Sequence, residues 1–206
     1  NITTNTSTIR LSNAAMGNTI IRCRILGSSQ VSIGSAGGVI LFDHQVAGTN
    51  NNTIQDCDLA AAGSNLPNVL IYSINSGVHT GNTITGCRLY DFFSPTKSSA
   101  AIYLEISSGT AWSITNNLIF QTGVRTFTSS NFTHYGISVT GGSGVLISNN
   151  TIGYSAANST GTYSLVGLSA SRWVAIDINS GTAAAPTEIQ GNRVTKLSYT
   201  GTMAGT

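Results

Sequence analysis

Seven acidic residues occur in this 206-residue chain, and two of them, Glu105 and Asp177, fall at like places in like stretches: Ala101-Ile102-Tyr103-Leu104-Glu105-Ile106 and Ala175-Ile176-Asp177-Ile178. Both stretches alternate apolar and polar residues with period two, as half-buried strands do. In each, the acid stands one place before the last apolar residue and so faces outward. Counted the same way, the outward set is Arg10, Gln45, Ser73, Glu105, Ser138 and Asp177. If such strands stack in parallel at ~4.8 Å per level, Glu105 and Asp177 share a column two levels apart, with backbones roughly 10 Å from each other. An inverting glycosidase places an acid and a base about 6.5–9.5 Å apart, so the pair is admissible for glycoside hydrolysis. His134 and Tyr103 are near enough in sequence to line the same groove. The plainer reading is two solvated acids on a strand face. No group of Asp residues is available to hold Ca²⁺ beside a base, and neither metal nor cofactor is expected.

A second kind of chemistry is stacking on sugar rings. Phe92, Phe93, Phe127, Phe132, Tyr135, Tyr154, Tyr163 and Trp173 lie among small polar residues between the strand-like stretches. With Tyr103, the set Phe132, Tyr135 and Trp173 is the candidate ligand surface. The same aromatics can equally serve as apolar anchors for loops that fold back on the protein.

The elements that must position these residues are read from a repeat. Asn82-Thr83-Ile84-Thr85-Gly86-Cys87-Arg88-Leu89 has the spacing of Asn18-Thr19-Ile20-Ile21-Arg22-Cys23-Arg24-Ile25 and Asn52-Thr53-Ile54-Gln55-Asp56-Cys57-Asp58-Leu59, and of stretches centred on Ile114, Ile147 and Ile189. Each reads apolar, two polar or small residues, Cys or Asn, one variable residue, then apolar. A plain strand would point the two apolar ends to opposite faces, so the chain must bend between them. Asn tolerates left-handed backbone angles, and its amide both donates and accepts. Asn117, Asn150 and Asn192 are therefore expected to form an inward ladder at the bend, continued by Cys23, Cys57 and Cys87 as a stack of small buried thiols. The central Ile recurs at 20, 54, 84, 114, 147 and 189. One such repeat cannot bury its apolar side without neighbours above and below, so the period predicts a solenoid.

Composition agrees. Charged residues make up 8% of the chain and hydrophobic residues 40%, with a net charge of +2. That excludes a disordered tail, and the scattered basic residues give no footprint for nucleic acid. No apolar run is long enough for a membrane span, so no membrane insertion is expected. The three cysteines form no metal-type pair and are expected to be free thiols.

The Ile-x-x-Asn-x-Ile pattern resembles the parallel β-helix repeat of the pectate-lyase-like superfold. The resemblance implies an all-β fold: one right-handed parallel β-helix over residues 1–206, of about six coils, with an Asn and Cys ladder at one bend. In its Asn-, Thr- and Gly-rich texture the chain is most similar to long secreted β-helix proteins of bacterial cell surfaces. That likeness implies an internal segment of a longer solenoid, structural or adhesive rather than catalytic, at the cell surface. The implied partners are neighbouring β-helix segments, cell-surface proteins or polysaccharide. The alternative is a carbohydrate-active enzyme, lyase or hydrolase, or a carbohydrate-binding module. A third reading, ice binding, rests on the outward columns Thr19, Thr53, Thr83, Ser113 and Ile21, Gln55, Thr85, Thr115, Ser148. Leu146, Glu188 and Gln190 interrupt that array.

Overall fold

The computed structural model of the protein describes residues 7–43, 48–74, 78–106 and 109–201. Gln45 of the expected outward column lies outside them. Among the described residues there is no helix, and every paired strand is parallel to its neighbours.

Three sheets run the length of the protein. The first contains Ile9–Leu11, Ile40–Phe42, Val69–Ser73, Ser99–Glu105, Thr133–Thr140 and Arg172–Asn179. The second contains Thr19–Ile21, Thr53–Gln55, Thr83–Thr85, Ser113–Thr115, Leu146–Ser148 and Glu188–Gln190, and the third Arg24–Gly27, Asp58–Ala61, Arg88–Tyr90, Leu118–Phe120, Thr151–Gly153 and Arg193–Thr195. A short fourth sheet, Arg125–Thr126, Tyr163–Gly167 and Leu197–Gly201, forms from the loops of the C-terminal coils. Six levels stack in each main sheet, so the solenoid makes about five turns, slightly fewer than the six coils expected.

The predicted registers hold in the second and third sheets. Ile20, Ile54, Ile84, Ile114, Ile147 and Ile189 form one in-register column, and Ile25, Leu59, Leu89, Ile119, Ile152 and Val194 form another. The middle members are fully buried, because each side chain has an apolar neighbour above and below. At the last described coil, with no described strand stacked beyond it, Ile189 is 51% and Val194 48% exposed.

The bend between the second and third sheets is two residues long in every coil. Its first residue is left-handed: Arg22, Asp56, Gly86, Asn116, Asn149 and Gly191 have φ between 52° and 66°. The residue that follows turns inward. This corrects the expectation that the ladder residue itself takes the left-handed angle. The Asn150 amide donates to Asn192 Oδ1 at 2.9 Å and to the Ile114 carbonyl at 2.9 Å, and its Oδ1 accepts from the Asn117 backbone and side chain at 3.0 and 2.9 Å. Cys87 N–H donates to Asn117 Oδ1 at 2.9 Å, and Cys23 N–H to Cys57 Sγ at 3.4 Å, so the thiols continue the row. All three thiols are free, but Cys23, in the first coil, is exposed where a buried position was expected. Burial raises the thiol pKa of Cys57, and that of Cys87 to about 12, which keeps both protonated.

Candidate functional site

Backbone pairing fixes which side chains share the outer face of the first sheet. Arg10, Leu41, Tyr72, Tyr103, Ser138 and Asp177 form one outward column. Glu105 is not in it. Glu105 pairs with Thr140 and lies two residues further along the strand, while Ser73 pairs with Leu104 in a column that faces the core. Counting back from the last apolar residue misplaces both, because Ile74 and Ile106 lie just past their strand ends. Two levels and two residues put the Glu105 and Asp177 backbones roughly 12 Å apart instead of the ~10 Å expected. Each acid already has a partner on the face: Glu105 Oε2 accepts from the Tyr72 hydroxyl at 3.2 Å, and Asp177 Oδ2 from Ser138 Oγ at 3.0 Å.

His134 does not join them. Alternation along the strand puts His134 and Tyr135 on opposite sides, and His134 is fully buried. Its Nδ1 lies 2.7 Å from Ser99 Oγ, and its Nε2 meets the Tyr163 hydroxyl. The ring stacks on Phe92 at 4.9 Å and meets Phe93 edge-on at 5.4 Å. Burial, with a smaller push from Arg125, lowers its pKa to about 3, so the imidazole is neutral.

Three of the four aromatic candidates converge. Tyr103, Phe132 and Tyr135 line a cleft of about 300 Å³ with Lys97, Ser98 and Ile33. Tyr72, Tyr103 and Tyr135 run up the face as edge-to-face rings, at centroid separations of 6.0 and 5.8 Å. Tyr72 is covered by the loop of the first coil, whose Gly34 N–H donates to its hydroxyl at 2.8 Å, while Tyr103 and Tyr135 remain half-buried. Burial first, then the Glu105 charge, pushes the Tyr103 phenol pKa up, so its hydroxyl stays a donor. Lys97 Nζ donates to the Gln30 carbonyl at 2.9 Å and supplies the cation at the cleft edge. The fourth candidate, Trp173, shares the column of Ser99 and His134 and packs on Tyr163 at 5.8 Å, away from the cleft.

The other loop aromatics divide as anchors. Phe92, Phe93, Phe127 and Tyr163 are buried, the middle two in a cluster with Leu165 that fastens the loops to the solenoid. The sequence reading missed a second Asn ladder, at the bend between the first and second sheets. Asn18 Nδ2 donates to Asn52 Oδ1 at 2.9 Å, and Asn52 Nδ2 to Asn82 Oδ1 at 3.1 Å. Its signal was an Asn two places before the central Ile in three successive repeats.

Among the described residues no group of three or more His, Cys, Asp or Glu side chains is placed to hold a metal ion. The face thus offers aromatic edges, phenol donors, a lysine and two separated carboxylates, a set suited to holding a polyhydroxylated chain. Compared with family models, curated proteins and solved structures, the chain matches none.

Proposed function

We propose that the chain is a structural or adhesive, non-catalytic segment of a secreted bacterial cell-surface protein, built on the pectate-lyase-like β-helix pattern. The observation that carries this reading is the offset of Glu105 from the Asp177 column, with each acid hydrogen-bonded within the face. The hydroxyl bound to each carboxylate, Tyr72 on Glu105 and Ser138 on Asp177, supports a surface role over paired acid and base catalysis. Half-exposed Ile189 and Val194 at the last coil support a neighbouring β-helix segment as one partner. A second reading, a carbohydrate-binding module, is favoured by the cleft of Tyr103, Phe132 and Tyr135.

Incubation with a panel of polysaccharides tests the choice. Retention on one or more of them, weakened by Tyr103→Ala or Tyr135→Ala and without release of shorter chains, is expected for an adhesive or binding surface. Turnover abolished by Glu105→Ala or Asp177→Ala would overturn the non-catalytic reading.

A further inference from the structure

A second groove lies on the outer face of the third sheet, away from the cleft above. It spans three coils, from Asp58 through Arg88 and Tyr90 to Phe120 and Thr122, and is closed by the loop of the next coil at Ser155, Ala156 and Ala157. Its volume is about 280 Å³. Tyr90 and Phe120, in register on adjacent strands, stack at 4.8 Å with their planes only 13° apart and form the apolar floor. Phe120 is buried and Tyr90 half-buried, so the accessible part of that floor is Tyr90.

The polar groups around this floor are fixed in place. Arg88 Nε and Nη2 donate to the two carboxylate oxygens of Asp58 at 2.5 and 2.6 Å, a planar bidentate pair at one end of the groove. The pair carries no net charge, yet the Arg88 side chain is 52% exposed and retains free N–H donors. Towards the other end, Thr122 N–H and Oγ1 both donate to Asp91, at 3.0 and 2.9 Å, which holds that residue against the groove. Groups already ordered in this way lose little entropy when a ligand arrives.

We infer that this groove binds a neutral oligosaccharide lying along the solenoid axis. A sugar ring presents an apolar C–H face to Tyr90, and adjacent hydroxyls that match the paired donor and acceptor of Arg88 and Asp58. Asp58 and Arg88 are the charged residues of the lining and match each other, so the lining itself offers no unpaired charge for an acidic sugar. The groove's length across three coils suits a chain of sugars rather than a single one. This site is independent of the first-sheet cleft and does not rest on the function proposed above.

Isothermal titration of the full chain with maltohexaose, cellohexaose and mannohexaose, and with hexagalacturonate as the charged probe, tests the inference. At least one neutral hexasaccharide should bind, with an affinity insensitive to added salt. Tyr90→Ala and the groove-filling Ala157→Trp should each weaken binding at least about tenfold, about 1.4 kcal/mol. Met16→Ala, at an exposed first-coil residue that lines neither groove, should leave it unchanged. The inference is overturned if no neutral hexasaccharide binds, if hexagalacturonate binds more tightly, or if Ala157→Trp binds like the parent chain. Ala157 is on the exposed side of its loop, so that variant decides the matter even if Tyr90→Ala melts early.

Discussion

The first three coils and the last three solve the same problem at different corners. In the first three, a row of amides stands at the bend between the first and second sheets, exposed at Asn18 and buried at Asn52 and Asn82, while Cys23, Cys57 and Cys87 occupy the next bend. In the last three, Asn117, Asn150 and Asn192 hold the second bend, and the first is filled by Trp112 and Val145, both buried. The exchange happens once, between Cys87 and Asn117. There, Asn117 Oδ1 accepts from Cys87 N–H, and Trp112 directs its indole N–H to the His79 carbonyl at 2.6 Å. A buried amide is tolerated only when both its donor and its acceptor are met, and in a solenoid those partners come from the coils above and below. Each level therefore carries one amide row, and a row can stop only where the neighbouring residue brings its own partner.

If the two halves differ only at their bends, their shared core should respond alike. Ile84→Ala and Ile114→Ala should each cost roughly 2–5 kcal/mol in denaturant unfolding, because both fill fully buried positions in the same column. Unequal losses would mean that the halves also differ in packing.

Acid should act on the C-terminal half through His134. His134 lies in the C-terminal half, and its folded pKa of about 3 is below the unfolded value of ~6.5. The unfolded chain therefore binds a proton across that window and the folded chain does not. The neutral ring's contribution is complete above about pH 6.5 and is lost as pH falls towards 3, at up to about 1.4 kcal/mol per pH unit. His134→Gln should remove that part of the slope in pH-dependent melts. Identical slopes in the two proteins would assign the acid sensitivity elsewhere.

The ladder itself separates adjacent asparagines. Asn150→Leu should cost about 1–3 kcal/mol by removing the acceptor of the Asn117 backbone and side-chain N–H groups, while Asn192 Oδ1 keeps the backbone N–H of residue 150. Asn149 is exposed, but its φ of 55° makes Asn149→Leu cost about 1 kcal/mol rather than nothing. Asn149→Gly should be nearly silent, and thermal melts of the three variants check the order.

New amides sharpen the contrast further. Cys87→Asn extends the second-bend row next to Asn117 and should change stability by less than about 1 kcal/mol, whereas Val145→Asn places an amide beside Trp112 and should cost about 1–3 kcal/mol. Equal effects would abolish the rule of one row per level.

The smallest effect is expected in the first half. Ser73 stands in a core column between Phe42 and Leu104, and its Oγ is buried with no hydrogen-bond partner among the described residues. Ser73→Ala should stabilise the protein by about 1 kcal/mol or less, read as a rise in melting temperature.

The second-bend ladder is legible in the sequence because the bend has constant length, which keeps Asn117, Asn150 and Asn192 at one distance from their Ile partners. The first-bend ladder is harder to see. The connection before it varies in length, and Trp112 ends the run of Asn after three coils. The position of Glu105 is not legible in the sequence, because strand register is set by pairing at Ile102 and Ile137, whereas apolar Ile106 lies outside the strand and carries no register information. Which loop aromatics reach a ligand depends on how neighbouring loops cover one another. Phe127 and Phe132 are alike in sequence context, yet Phe127 is buried and Phe132 borders the cleft.

The uniform coil also sets the kinetics. Strand pairs between successive levels join residues that are about one repeat apart, so no part of the solenoid forms from local contacts alone and folding waits on loop closure. Closure entropy grows only with the logarithm of length. Going from the shortest spacing of the central Ile, between 54 and 84, to the longest, between 147 and 189, raises it by about 0.3 kcal/mol. The long C-terminal insertion therefore costs little time. Once two coils are paired, their open edges template the next, and growth can proceed outward from either half.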